Sequence, residues 1–317
     1  MCICMKTYQI FIDGAAGTTG LQVQSRLEAQ PDLELILLDE AERKDETKRR
    51  DAMAAADVTI LCLPDEAAIQ AASNAKEMSA RIIDASTAHR IDPAFTYGFA
   101  ELLKDGESQI AEAQFVSNPG CYPTGFLALV APLVEAGWLS ADSMLHVPAV
   151  SGYSGGGKAM IAEYERGTAP VFGSYGLSLA HKHLPEMRVH AGLEKSPVFL
   201  PSVGNFPQGM LVNIMLDQEH LGKTVTADHI KELYQARYQA DRLISVGADN
   251  ALTEKGFLAA DALAGTDRLE LFVFADSQNE KLVLTARLDN LGKGASGAAV
   301  QNLNLMLGRD MLAGLSL

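Results

Sequence analysis

Cys121 stands in Val116-Ser-Asn-Pro-Gly-Cys-Tyr-Pro-Thr-Gly-Phe126, on a tight Pro-Gly turn between a short apolar run, Phe115 to Ser117, and an apolar segment with helical texture, Gly125 to Ala136. A thiol at a helix N-terminus faces backbone N–H groups and the positive end of the helix dipole, which favour thiolate over thiol. That is the setting of a nucleophile. Cys62, inside an apolar run, reads instead as a small buried hydrophobe. A nucleophile needs an acid or base, and the densest candidate is His181-Lys-His183-Leu-Pro-Glu186. Two histidines and a carboxylate this close could hold one imidazole in a defined tautomer, ready to pass a proton near neutral pH. The residues alone leave His181 and His183 both open. At i, i+2 the pair also matches part of a zinc site, but a polar surface loop is the plainer reading and no metal is expected.

Gly14-Ala-Ala-Gly17-Thr-Thr-Gly20 follows a strand-like run and opens a helix-like one, the context that a dinucleotide turn requires. Glycines there let the backbone approach a pyrophosphate, whose charge meets the helix N-terminus. The spacing is one residue longer than the standard fingerprint, and a plain tight turn is the alternative. Asp39 ends the second strand where an acid would hold the ribose hydroxyls of NAD, whereas Arg43-Lys44 just after it could neutralise the 2′-phosphate of NADP. Most charges from Asp39 to Arg50 read as a solvated loop. In Asp84-Ala-Ser-Thr-Ala-His-Arg90, at the carboxyl end of a strand, Arg90 offers a fork for a carboxylate or phosphate, with a surface salt bridge as the alternative. Ser151-Gly-Tyr-Ser-Gly-Gly-Gly-Lys158 imitates a phosphate-binding P-loop but is followed by Ala159, not by the hydroxyl that would bind magnesium. A flexible turn lining a substrate pocket is the better account.

These residues must be carried by elements, and the elements are legible. Up to about Ser117, β-rich runs (Tyr8 to Ile12, Leu33 to Leu38, Ala56 to Leu63, Arg81 to Asp84) alternate with helix-like segments (Gly20 to Ala29, Asp65 to Met78), which predicts a parallel sheet with right-handed crossovers. Beyond Cys121, runs at Ser143 to Val150, Val198 to Val203, Gly209 to Leu216, Leu269 to Ala275 and Lys281 to Leu288 predict a mixed or antiparallel sheet, with helices at Lys158 to Arg166 and Thr226 to Tyr238. Gly297 to Leu307 is expected to be an amphipathic helix. The 317 residues, 48% hydrophobic and 21% charged, suffice for two cores, and a net charge of −14 speaks against nucleic acid or an anionic membrane as a partner. No stretch has the length and apolarity of a membrane span and the start does not read as a secretory signal, so a cytoplasmic location is expected. Four cysteines, Cys2, Cys4, Cys62 and Cys121, are too few and too scattered for a disulfide framework.

Asn-Pro-Gly-Cys121 and His181-Lys-His-Leu-Pro-Glu186, with the glycine turn, Leu61-Cys-Leu-Pro-Asp65, the Asp84–Arg90 and Ser151–Lys158 segments and Asn290-Leu-Gly-Lys-Gly-Ala-Ser-Gly297, resemble the N-acetyl-gamma-glutamyl-phosphate reductase family in its shorter form, within the semialdehyde dehydrogenase superfamily. The resemblance covers nearly the whole chain. It implies an α/β protein with a Rossmann-type NADP-binding domain, residues 1–120 and 289–317, completed by the C-terminal helix. Residues 121–288 would form an α+β catalytic and dimerisation domain similar to that of aspartate-semialdehyde dehydrogenase. The implied reaction is NADPH-dependent reductive dephosphorylation of N-acetyl-L-glutamyl 5-phosphate, in arginine biosynthesis, through a Cys121 thioester. Carried over, Cys121 is the nucleophile and His181 or His183, with Glu186, the acid/base group. Gly14, Gly17, Thr18, Thr19, Gly20, Arg43, Lys44, Pro64, Ser86 and Asn290 would bind the cofactor, and Asn118, Arg90, Ser154 and Tyr175 the substrate. The implied partners are the acyl phosphate, phosphate and further copies of the chain, as a homodimer or homotetramer. A related acyl-phosphate reductase for another amino acid and a non-catalytic NADP-binding sensor are the alternatives.

Overall fold

In the computed structural model, which describes residues 6–221, 225–239, 241–247 and 251–317, the first strand β1 (Tyr8–Asp13) lies inside a parallel sheet. Cys2 and Cys4 lie outside the described residues. The chain continues through α1 (Thr18–Glu28), β2 (Leu33–Ile36), α2 (Glu46–Ala55), β3 (Val58–Leu61), α3 (Asp65–Met78), β4 (Ile82–Asp84), β5 (Thr96–Tyr97), α4 (Gly106–Glu112) and β6 (Phe115–Ser117). The strands order as β2-β1-β3-β4-β6-β5 and every pair is parallel. Both faces of such a sheet are buried, which is why β3 is apolar at Val58, Ile60 and Leu61 alike. Ile10, Ile12, Val58 and Ile60 pack on Val23 and Leu27 of α1. Phe11, Leu61 and Ile82 pack on Met53 of α2 and on Ala71 and Ala75 of α3.

Most charges from Asp39 to Arg50 are solvent-exposed, as their composition suggests, but the run is a short 3₁₀ turn and a helix and not a loop. Asp39 Oδ1 accepts from Ala41 and Glu42 N–H at 2.8 Å each, capping a short 3₁₀ turn. The Asp45 carboxylate then caps α2 through Thr47 and Lys48 N–H. Local capping chemistry thus builds a helix where hydrophobic periodicity is weak.

The second unit spans Gly120–Gly294 and the last two residues, Ser316–Leu317. It comprises α5 (Cys121–Glu135), β7 (His146–Gly152), α6 (Gly157–Glu165), β8 (Phe172–Ser174), α7 (Leu184–His190), β9 (Val198–Gly204), β10 (Met210–Asp217), α8 (Ala227–Tyr238), β11 (Ile244–Val246), β12 (Leu269–Ala275) and β13 (Lys281–Leu288). Its sheet, β11-β12-β13-β10-β7-β9-β8, is mixed, with β7/β9 and β11/β12 parallel and the remaining pairs antiparallel. On one face lies α5, brought close by Gly125, whose missing Cβ would stand 3.0 Å from Val212 and 3.1 Å from Ala286. α8 joins it, with the Tyr234 and Tyr238 hydroxyls donating to the Leu129 and Ala128 carbonyls. The other face presents Leu200 and Met215 exposed and Val150, Leu211, Val283 and Phe274 half-buried.

The chain rejoins the first unit at Ala295, and α9 (Gly297–Leu307) packs against α1 and α4 and across β3 and β4. α9 is not amphipathic in the expected sense, because it is buried on all sides. Its side-chain amide N–H groups find acceptors within the same unit: Asn302 Nδ2 donates to Gly98 O, Gln301 to Glu101, and Asn304 to the Met311 and Ala313 carbonyls.

Candidate active site

The first unit supplies a turn shaped for a dinucleotide. Gly14 has φ +91°, and a Cβ there would strike the Cys62 carbonyl; a Cβ at Gly20 would strike the Gly14 carbonyl. Gly17 is the N-cap of α1 and no side chain caps that helix, so Thr18 and Thr19 begin a helix end bare of carboxylates. Such a cradle fits the pyrophosphate of a nicotinamide dinucleotide. Beneath it Asp13, 3% exposed, receives a bidentate guanidinium from Arg49 of α2, with Nε at 3.0 Å and Nη2 at 2.7 Å from Oδ2. Sequence reading missed this pair; an acid immediately before the first glycine was its only signal. Arg49→Leu would strand a buried carboxylate. A loss of about 2 to 3 kcal/mol is expected in denaturant unfolding, at the low end for a buried pair because Arg49 keeps some solvent contact.

Of the other cofactor candidates, Arg43 is exposed and pairs with Glu40 at 2.7 Å, Lys44 is exposed beside it, and Pro64 is the N-cap of α3. Ser86 gives both its N–H and its hydroxyl to Asp84, whose Oδ2 also meets His89 Nδ1 at 2.6 Å. Asp84 therefore ties down the loop that carries Arg90. Arg90 is itself buried, donating to the Asn118 and Ala85 carbonyls, so it is not a surface salt bridge. Asn118 Nδ2 donates to Ala295 O, and its Oδ1 accepts from Asn302 of α9. In the same unit burial above all, then Asp84 and Asp13, pushes the Cys62 thiol up to about 12, as suits an inert core cysteine.

The second unit holds the thiol. Cys121 is the first helical residue of α5, four residues earlier than the apolar run alone indicates, with Gly120 as N-cap. Pro123 in the first turn has no N–H to give, and Thr124 N–H closes the first helical bond onto Gly120 O at 2.9 Å. The helix start is pressed by Gly294, where an added Cβ would stand 2.8 Å from Cys121 Cβ. Glu186 Oε1 accepts from Gly120 N–H at 2.8 Å. The histidine segment is not a surface loop: His183 and Glu186 are buried and His181 is half-buried. The Tyr122 ring stands 6.2 Å from His181 and 6.1 Å from His183, and Tyr175 stands 6.0 Å from His181. His183 N–H donates to His181 Nδ1 at 3.1 Å, so the neutral ring carries its proton on Nε2. Burial, then the Lys182 charge, lowers the His181 pKa.

Tyr122, absent from the sequence-derived site, organises this cluster. Tyr175 donates its hydroxyl proton to Tyr122, and Tyr122 donates to Ser202 O. Burial first, and to a lesser degree the neighbouring Cys121, pushes the Tyr175 hydroxyl up to about 12 against the lowering effect of the Tyr122 bond. At neutral pH it remains a phenol. Asn290 and Ser154 also meet: Asn290 Nδ2 donates to Ser154 Oγ at 3.0 Å while its Oδ1 accepts from Gly209 N–H. Among the described residues no group of three or more His, Cys, Asp or Glu could hold a metal, and no helix is long and apolar enough to cross a membrane.

Known proteins share this architecture. Residues 9–110 match the family model described as semialdehyde dehydrogenase, NAD binding domain, and residues 121–290 the one described as semialdehyde dehydrogenase, dimerisation domain. Aspartate semialdehyde dehydrogenase II of Vibrio cholerae, solved in complex with ASA, is similar with TM-score 0.71 at 16% identity, covering 96% of this chain and 99% of that one. The Candida albicans aspartate semialdehyde dehydrogenase with NADP gives TM-score 0.65 at 14% identity, covering 96% and 100%. Fold and domain matches thus define the semialdehyde dehydrogenase class, whose first domain takes a nicotinamide dinucleotide. Closer relatives narrow it. N-acetyl-gamma-glutamyl-phosphate reductase of Brucella anthropi is 49% identical over 307 residues, 95% of this chain and 99% of that protein, and that of Trichormus variabilis is 48% identical over 315 residues, 96% and 98%. The chain belongs to the N-acetyl-gamma-glutamyl-phosphate reductase family.

Proposed function

We propose that this protein reduces N-acetyl-L-glutamyl 5-phosphate to N-acetyl-L-glutamate 5-semialdehyde with NADPH, carrying the acyl group on Cys121. The observation that carries the reading is a cysteine as the first residue of a buried helix, its turn held by Glu186 and its flank lined by Tyr122, Tyr175 and His181, in a chain 48–49% identical to reductases of that name. The helix start favours the thiolate, which attacks the acyl carbon; the C–O bond to phosphate breaks and phosphate leaves. The glycine turn would hold NADPH, which would supply the hydride for reduction of the thioester carbonyl. His181 Nδ1 is occupied by His183 N–H, so Nε2 gives the proton to the thiohemiacetal oxygen. Collapse of the thiohemiacetal returns that proton to His181 Nε2, re-forms the carbonyl, breaks the C–S bond and releases Cys121 as thiolate. Arg90 would receive an anionic group of the substrate; Asn118 serves the same loop by joining it to Ala295 and α9.

For the cofactor, Asp39 supports NADP over NAD: one of its carboxylate oxygens is turned to backbone N–H groups, while Arg43 and Lys44 offer positive charge next to it. For the assembly, the sheet face bearing Leu200, Met215 and Phe274 leaves apolar surface open, and a second copy would cover it as a homodimer. Sedimentation at micromolar concentration tests this, with a monomer as the contrary result.

The reaction is tested in reverse, as phosphate-dependent reduction of NADP⁺ and of NAD⁺ with N-acetylglutamate semialdehyde and with aspartate semialdehyde. NADP⁺ with the N-acetylated substrate is expected to be the best pair, and a clear preference for aspartate semialdehyde refutes the assignment. Because the His181 pKa is lowered, the acid limb of kcat/KM in this direction should fall below the ordinary histidine value of about 6.5. Lys182→Met removes a like charge that favours the neutral ring and should move that limb upward; a limb unmoved or shifted down would detach it from His181.

A further inference from the structure

The histidine segment ends on a carboxylate that the reaction above leaves without a chemical task. Glu186, in the first turn of α7, is 2% exposed, and its Oε1 accepts from Gly120 N–H. Gly120 is bonded directly to Cys121, and its N–H precedes the helical ladder, which opens with Thr124 N–H onto Gly120 O. A buried N–H outside the ladder needs an acceptor, and an ionised one gives the shorter and stronger bond. At the other end of the same six residues, His181 stands against the ring of Tyr122, the residue after Cys121. The His-x-His-x-Pro-Glu spacing therefore touches the thiol's turn from both ends.

We propose that Glu186 is a positioning residue that fixes the Cys121 turn against His181 through Gly120 N–H, and that its charge also restrains thiolate formation. The two effects separate chemically. An amide oxygen can keep the bond to Gly120 N–H, whereas only a carboxylate opposes a neighbouring anion. Glu186 thus holds the thiol in register and keeps its thiolate fraction below what the helix start alone would set.

The proposal rests on Cys121 as the reactive thiol, and thiol reactivity can be read without any substrate. Full-length wild type, Glu186→Gln and Glu186→Ala are treated with iodoacetamide across a pH series, and modification of the Cys121 peptide is followed by mass spectrometry, so that the other cysteines do not interfere. Turnover is measured on whichever semialdehyde the wild type prefers. For Glu186→Gln, kcat should fall only about 3-fold and the alkylation midpoint should move down by about one pH unit. For Glu186→Ala, kcat should fall about 30- to 100-fold while KM changes by less than about 3-fold. Wild-type kcat in Glu186→Ala, equal losses in the two variants, or an alkylation midpoint in Glu186→Gln that stays put or rises would each overturn it. Should Glu186→Ala fail to fold, the Glu186→Gln midpoint alone decides. A substrate other than the N-acetylated one would sink the proposed reaction and leave the alkylation result standing.

Discussion

Cys121→Ser is expected to lower phosphate-dependent NADP⁺ reduction with N-acetylglutamate semialdehyde by about 10⁴-fold or more, with NADPH binding unchanged. The change replaces one atom at the first residue of α5 and leaves in place Gly120, held by Glu186, and Gly294, packed on the Cβ. What it removes is ionisation. The helix start can bring a thiol with an ordinary value of about 8.5 into the neutral range, but it cannot do so for a serine hydroxyl. Serine is also a poor group to expel when the thiohemiacetal collapses, so both halves of the reaction suffer. NADPH binding, followed by cofactor fluorescence, is the control that separates lost chemistry from a damaged fold. Turnover near the wild-type level would remove the nucleophile assignment, whereas NADPH binding with no turnover in the wild type itself would leave the cofactor-binding sensor as the reading that stands.

The second large effect concerns the two histidines. His181→Ala should lower kcat by about 10² to 10⁴-fold, the range for loss of a general acid/base group. His183→Ala should cost far less, about 10-fold. The asymmetry has a structural cause: His183 acts on His181 through its backbone N–H, which survives the substitution, and its side chain is buried at the N-cap of α7. His181 is half-buried, with its Nε2 edge the one left to meet a substrate. Steady-state kcat for both variants checks this, and the reverse order of losses would move the acid/base role to His183.

Much of this was legible in the residues where local chemistry and long-range packing agree. β12 and β13 follow their apolar runs at Leu269–Ala275 and Lys281–Leu288, and α3 follows its alanine-rich run at Asp65–Met78, because each buries the face its pattern marks. Reading failed where capping or burial of polar groups decides. α2 is built on the Asp45 cap and sends Arg49 inward to Asp13, neither of which hydropathy registers. α9 hides Gln301, Asn302 and Asn304 by pairing them with carbonyls and Glu101, so polar residues there do not mark a wet face. In the site, Cys121 and the His181–Glu186 segment stood out by type and spacing. Tyr122 did not, since a tyrosine in an apolar helix reads as core until the Tyr175–Tyr122–Ser202 chain is seen. The bond from Glu186 to Gly120 N–H is likewise a tertiary fact, spanning 66 residues of sequence.

The most direct measurement of the central claim is the intact mass of the protein after brief exposure to N-acetylglutamyl 5-phosphate without NADPH. With no hydride to consume it, the acyl-enzyme should appear as one added N-acetylglutamyl group, mapped by peptide mass spectrometry to Cys121 and absent from Cys121→Ser, with release of one equivalent of phosphate. An unmodified Cys121 in wild type that nevertheless turns over when NADPH is added would contradict the account.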